Sequence, residues 1–563
     1  MSCNSNQQPD GIPDGFEFRD DGIYSLPDPE SDGGSPQWLC SPLIVAAQTV
    51  DSNGGRCGKF ITGTAATGVC HQFVMSSKDI YRVSKVVDQL VDKGFEIRKE
   101  KSMQESVSKM LLDWKPEKTI LLSEKIGWSD ETFKTYLLAD GSVVGRKDAI
   151  YAPTRPVFSL KGVTSCGDLN SWKDTVSLRA VGNPVLITAI SLAFAGPLLR
   201  INGRNGFGIH FKGLSSTGKT TALTVATSVW GGGDLIRTWR TTSNALEATA
   251  AFANDNFLPL DELAEVRPGA AGEACYMLAN GQPKIRANSQ GHAGKASNWK
   301  TVVMSTGEIS MAEKLSEVGI NPKEGQIVRM IDLKADGRAY GIFDNLDGAI
   351  DAASFAKELN ESAARACGHA GPAFVSKLTE LSEDITTFLK HNVEVYTSLI
   401  LKGVDISEIS FSPRVAEQFA IVALAGEMAT RFGLTGWKEL TAIAAASEMF
   451  RTWIVGQHNP LSRSEILRRI QEAVVTYDAR LQEEGASPVK NKFGWQDKSR
   501  VMFDDFGWSE IHGDLDLKAV ARAARGFGLL TSGDGDNLKA KAPNWIPNRP
   551  RLYIVQRSVL TPT

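Results

Sequence analysis

Between about residues 176 and 345, short apolar runs alternate with stretches of helical spacing. Phe207–Phe211, Leu235–Thr238, Asn256–Leu260, Thr301–Ser305 and Ile327–Leu333 are the strand candidates. Strands separated by helices predict a parallel α/β sheet, because parallel neighbours need a crossover long enough to hold a helix. Ahead of this region the pattern is mixed. Residues 42–47 and 58–62 read as strands, and 80–93 carries Val83, Val86, Val87, Leu90 and Val91 at helical spacing. Residues 135–138 and 142–144, joined through Asp140-Gly141, read as a hairpin, as do 16–18 and 22–24. After it the chain reads as helical, most clearly over 416–428 and 464–474. A helix over 517–527 followed by a strand-like tail at 549–555 resembles a winged helix in order. The pattern divides the chain into a disordered tail (1–15), an α+β domain (16–175), a parallel-sheet core (176–345), a helical lid or connector (346–489) and a small basic domain (490–563).

Composition narrows the class. The hydrophobic fraction is 42% and the charged fraction 23%, as in soluble globular proteins, which excludes a disordered chain or a collagen. Net charge is −3, so a nucleic-acid partner requires locally concentrated cations, and 490–563 holds 12 Lys/Arg against 8 Asp/Glu. Cys3, Cys40, Cys57, Cys70, Cys166, Cys275 and Cys367 are widely spread without a CxxC pair. That argues against a disulfide framework or zinc ribbon, and makes reduced cytoplasm the default location. The apolar run 185–199, interrupted by Pro197, falls short of the ~20 residues that span a bilayer and reads as a buried helix; no membrane partner is expected.

The chemistry begins at Gly213-Leu-Ser-Ser-Thr-Gly218-Lys219-Thr220, a full match to GxxxxGK[ST] between a predicted strand and a predicted helix. The glycines let backbone N–H groups converge on phosphate oxygens, the lysine adds a point charge, and the threonine hydroxyl suits Mg²⁺. Gly213, Ser215, Ser216, Thr217, Gly218, Lys219, Thr220 and Thr221 are therefore the nucleotide-binding candidates, with ATP and Mg²⁺ as the implied ligands. Asp261-Glu262 ends the next apolar strand but one. Asp261 would hold the metal through water and Glu262 would orient the attacking water. A hydroxyl at the end of 301–305, Ser305 or Thr306, is placed to sense the γ-phosphate. Arg329 is a candidate to reach a neighbouring subunit's γ-phosphate, with Arg286 and Arg338 as rivals. The Gly-rich basic stretch 280–300, with Lys284, Arg286, Lys295 and Lys300, reads either as a pore loop meeting DNA phosphates or as a solvated loop. His210, Trp230 and Trp239 read as packed residues, and Cys367-x-His369 is too little for a metal site.

Residues 206–223 together with Ser228-Val-Trp-Gly231 resemble the family called domain of unknown function 927. So do 238–247, Leu260-Asp-Glu-Leu263, Tyr276-Met-Leu-Ala-Asn-Gly281, Ser305-Thr-Gly-Glu308, Gly325-Gln-Ile-Val-Arg329, Gly127-Trp128, 423–430 and 433–437. The resemblance runs over roughly 16–555. It implies a ring-forming AAA+-type ATPase of phage, prophage and other mobile-element replication proteins, often the helicase half behind a primase. No part of this sequence resembles a primase, so priming would come from a separate primase or initiator.

The resulting expectation is a hexameric ATP-dependent DNA motor acting on single-stranded or forked DNA, with Arg329 completing the neighbour's site. The alternative is an ATP-driven switch or loader that remodels a partner protein. A weaker reading is an initiator whose ATP only stabilises assembly.

Overall fold

The computed structural model describes residues 8–28, 34–153, 163–283, 298–320, 324–381, 384–404, 406, 409, 411–457, 461, 463–513, 515–531, 533 and 537–560. They form two compact units, Met1–Trp453 and Ile454–Thr563.

The first unit opens with three antiparallel strands, Phe16–Arg19, Gly22–Ser25 and Gln37–Cys40. A five-stranded mixed sheet follows, in the order Ala149–Tyr151, Thr119–Ser123, Leu43–Asp51, Gly58–Thr64, Cys70–Ser76. Helices Val83–Val91 and Lys101–Asp113 bury Val86, Leu90, Val107, Met110 and Leu111 in one cluster with Val45, Ile61 and Met75. Each such aliphatic side chain contributes about 1.5–3 kcal/mol when fully buried. Residues 8–15, assigned by the sequence pattern to a disordered tail, are instead tied down. Asp10 O accepts from Trp114 Nε1 at 2.8 Å, Gly11 O accepts from Lys115 N at 3.0 Å, and Ile12 packs on the same cluster.

The second layer of this unit is the parallel sheet. Helix α1 (Pro184–Ile201) precedes strand β1 (Phe207–Lys212), α2 (Lys219–Thr227), β2 (Arg237–Thr238), α3 (Ser243–Phe252), β3 (Asn256–Asp261), α4 (Pro268–Asn280), β4 (Thr301–Gly307) and β5 (Met330–Lys334). The strand order is β2-β3-β4-β1-β5, all parallel. Phe207 to Phe211 are all buried, as expected for a central parallel strand covered on both faces. Helix α1 is long and apolar enough to cross a bilayer, yet 89% of it is buried inside the protein. A Cβ at Gly196 would lie 2.5 Å from the backbone of Asn256, so only glycine lets α1 approach β3 this closely. Ser412–Arg431 packs along α1 in the helical region that follows. Among the described cysteines none is in a disulfide, but Cys166 and Cys367 are brought opposite one another across an isolated antiparallel bridge, a pairing that their separation in sequence conceals.

Asp255, at the foot of β3, ties the amino-terminal layer to the sheet. Its Oδ2 accepts from Trp128 N at 3.2 Å and Asn254 Nδ2 at 3.0 Å, its main-chain oxygen accepts from Tyr136 OH at 2.8 Å, and Arg200 lies 3.7 Å away. Oδ1 has no partner among the described residues. Burial pushes the carboxyl up to about 6, against the field of Arg200. A carboxyl whose folded pKa is raised contributes stability that is present below its unfolded value near 4 and is lost as pH rises through about 6. Asp255→Asn keeps an acceptor for Trp128 without that loss. The stability difference between variant and parent is expected to move in the variant's favour by about 2 kcal/mol from pH 4 to pH 7. Thermal unfolding of both across that range checks it, and a pH-independent difference would refute it.

Helix α5 (Ala352–Arg365) follows β5 in the first unit, and the second unit begins at Ile454. Its elements are α6 (Arg463–Thr476), β6 (Leu481–Glu483), β7 (Gly494–Gln496), β8 (Arg500–Phe503), α7 (Asp505–His512), α8 (Leu517–Gly526), β9 (Ala540–Lys541) and β10 (Arg551–Gln556). The sheet order is β6-β7-β8-β10-β9, antiparallel except for β6 with β7. One face buries Val501, Phe503, Tyr553 and Val555 with helix residues Ile466, Ile470, Trp508, Val520, Ala521 and Ala524. The other buries Trp495, Met502, Leu552 and Ile554 with Ala542 and Ile546. Helix α6 thus packs into this unit through Ile466 and Ile470, whereas the sequence pattern placed it in the helical connector ending at 489.

Candidate functional site

The loop between β1 and α2 turns through Ser216 (φ 60°) and Gly218 (φ 103°). A Cβ at Gly218 would lie 2.7 Å from the Phe343 ring. Both the left-handed backbone and the close ring therefore demand glycine there. The loop is braced from outside. Leu214 N donates to Asp336 Oδ2 at 2.7 Å, Ile342 N donates to Thr217 O at 3.0 Å, and Gly213 N donates to Gly307 O at 3.2 Å. Asp336 was not singled out in the sequence; it belongs to no motif, and only the β1–β5 pairing brings it here.

Lys219 opens α2 and is 8% exposed. Its ammonium donates to Gly213 O at 2.8 Å and Leu214 O at 2.6 Å. No carboxylate among the described residues pairs with it. A buried cation without a counter-ion is costly, and an anionic ligand seated in the loop would remove that cost. Thr220 beside it is exposed, at the positive end of the α2 dipole. Thr221 is buried and accepts from Asn360 Nδ2, on α5, at 3.3 Å.

Two strands away, β3 ends in Asp261. Its Oδ1 accepts from Thr306 Oγ1, and from Glu262 N at 3.0 Å. Oδ2 has no partner among the described residues, so it is available to a metal-bound water. Glu262 sits at φ 58°, ψ 65°, a left-handed conformation rare for a non-glycine residue. Its carboxyl is held above the ordinary carboxylate range by partial desolvation and then by Asp261 and Glu308, with Lys219 opposing. Lys219, Thr220, Asp261, Glu262 and Thr306 are thus at the carboxyl ends of neighbouring strands. Carboxylates, one hydroxyl and phosphate oxygens are the donor set that suits Mg²⁺; among the described residues no group of three or more His, Cys, Asp or Glu could hold an ion by itself.

The family model described as Domain of unknown function (DUF927) matches residues 16–299. The chain belongs to the DUF927 family.

Several solved structures resemble this DUF927 chain. One titled "SCCmec type IV Cch - active helicase" is 19% identical over 97% of this chain and 98% of its own, with a TM-score of 0.59, which shows a common fold. The apo C-terminal region of NrS-1 is 10% identical over 71% and 89%, with a TM-score of 0.25. NtrX from Brucella abortus in complex with ADP is 14% identical over 49% and 71%, at 0.20. The last two scores are too low to indicate a shared fold. No curated protein matches the sequence.

The remaining candidates of this DUF927 chain fall elsewhere. Successive strand residues face opposite sides, and the register sets Ser305 opposite His210. Ser305 is fully buried and bonded to His210 Nδ1 at 2.9 Å and Trp239 Nε1 at 2.8 Å, so of the two hydroxyls only Thr306 stands beside Asp261. His210 Nε2 faces Ile309 O at 2.9 Å. A neutral ring protonated on Nε2 satisfies both contacts, and burial lowers its pKa to about 4. His210 and Trp239 are accordingly packed residues. Trp230 donates Nε1 to Ala193 O at 2.7 Å.

Arg329 lies at the amino ends of the strands, where its oxygen accepts from Gly208 N at 2.8 Å, roughly 13 Å along β1 from its own loop. The guanidinium donates to Asn280 Oδ1 at 2.7 Å and Gly325 O at 2.8 Å and covers the Tyr276 ring at 4.9 Å. No carboxylate among the described residues neutralises it. Arg338 by contrast is paired with Asp344 and Glu448. Lys300 is half-buried at the foot of β4, its ammonium pushed below the lysine range by burial. Lys284, Arg286 and Lys295 lie outside the described residues.

Proposed function

We propose that this chain is an ATP-hydrolysing DNA motor that works as a ring, with a P-loop core of AAA+ type and a winged-helix-like second unit. The observation that carries the reading is Lys219, buried without a counter-ion in a glycine loop beside the Asp261–Thr306 pair. The strand order β2-β3-β4-β1-β5 supports it, because loop and carboxylates share one sheet edge. Lys219 and the loop N–H groups bind the phosphates, and Thr220 and Asp261 hold Mg²⁺. Bound there, the metal offsets phosphate charge. Glu262 takes a proton from the attacking water, and Thr306 holds Asp261 in place.

DNA as the track is supported by the fold shared with a structure titled as an active helicase and by the basic second unit. The opposing reading, an ATP-driven remodeler of a partner protein, is favoured by the overall charge of −3. Strand displacement on forked DNA of each polarity separates them. ATP-dependent displacement that disappears in Lys219→Ala is expected. ATP hydrolysis that no DNA stimulates, without displacement, would overturn the motor in favour of the remodeler.

A further inference from the structure

In the second unit Arg468, Arg469 and Arg500 are neutralised internally. On α6, Arg468 pairs with Glu465 and Glu472, and Arg469 with Glu465; Arg500 pairs with Asp497. Helix α8 is built differently. Its sequence, LKAVARAARG, holds no acid. Val520, Ala521 and Ala524 are buried, which leaves Lys518 and Arg522 exposed one turn apart on the opposite face. Neither has an ion-pair partner among the described residues. Asp516, the nearest acid in sequence, is spent on capping: its Oδ1 accepts from Lys518 N at 2.9 Å and Ala519 N at 3.2 Å. Like charges at this spacing repel, so the face is less stable alone than with an anion against it.

On the β9–β10 hairpin of the same unit, Lys541 and Arg551 are exposed and directly opposite in register. Helices α7 and α8 are separated by four residues in sequence, Gly513 among them, the spacing found between the helices of a helix-turn-helix, whose second helix enters the major groove.

We propose that α8 docks in the major groove of duplex DNA, with Lys518 and Arg522 as its contacts and Lys541 and Arg551 on flanking phosphates. Lys518 and Arg522 lie roughly 6 Å apart along the helix axis, about two base-pair steps. DNA rather than RNA duplex is the occupant, because the A-form major groove is too narrow and deep for a helix. The proposal rests on the reading of the chain as a DNA-acting protein, but its test does not depend on hydrolysis.

The full chain is titrated against a fluorescent blunt DNA duplex, an RNA duplex of the same sequence and a single strand, without nucleotide, over a series of salt concentrations. Lys518→Ala with Arg522→Ala is expected to weaken DNA duplex binding at least about 10-fold and to reduce the slope of log affinity against log salt by about 2, near 0.9 per lost phosphate contact. Single-strand binding and basal ATP hydrolysis are expected to stay unchanged. Lys541→Ala is expected to weaken duplex binding in the same direction. Unchanged duplex affinity in the double variant, no duplex binding by the parent, or equal binding of the RNA duplex would each overturn the proposal. Loss of duplex binding in a protein that never displaces a strand would uphold the α8 face and refute the motor instead.

Discussion

Glu262→Gln is expected to bind ATP as the parent does and to hydrolyse it at least about 10²-fold more slowly, the scale of lost general-base catalysis. Holding a non-glycine residue at φ 58° costs of order 1–3 kcal/mol, and here it carries the side chain past the end of β3, next to Asp261. Desolvation and the neighbouring acids raise its affinity for a proton. Glutamine preserves size and hydrogen bonding but cannot take the proton, so binding and chemistry separate. Nucleotide affinity by equilibrium titration and single-turnover hydrolysis check the two halves. Unchanged hydrolysis would remove Glu262 from the mechanism.

The second large effect concerns Arg329. Arg329→Ala is expected to lower hydrolysis by about 10³-fold or more, in the range of other arginine fingers, although the residue lies at the far end of the sheet from its own loop. Arg329 is too far from its own loop to touch a nucleotide there, so a direct role in hydrolysis requires the site of another subunit. Mixing Arg329→Ala with Glu262→Gln would then rebuild some intact interfaces, each with a working glutamate and a working arginine. Partial recovery of activity is expected on mixing. No recovery at any ratio, in rings shown to contain both variants, would place Arg329 in a structural role through Asn280 and Tyr276.

The glycine loop was legible because everything it needs is local: two glycines, a lysine and a threonine at fixed spacing between a strand and a helix. The buried helix around 185–199 and the helix near 517 were legible for a similar reason, since apolar periodicity reports which face is covered. Other features were not. That Ser305 and Thr306 face opposite sides follows from strand geometry, but which of them meets Asp261 depends on the register of β4 against β3. Asp336 reaches Leu214 only because β5 lies next to β1. Residues 8–15 look like a tail by composition and are held by Trp114 and Lys115, a hundred residues on. The apolar stripe of α6 announces a buried face without saying that Val501 and Phe503, rather than the preceding helices, will cover it.

From the sequence alone came the residue types and their short-range spacing: the phosphate-type loop and the acidic strand end. These are local because backbone conformation, capping and charge repulsion act over a turn or two. Strand order, register and the choice of partner for each buried face were settled only by the folded chain, since they depend on which distant surfaces exclude water together. That is why the lysine and the acids could be named in advance, while the hydroxyl beside them and the distance of Arg329 from its own loop could not.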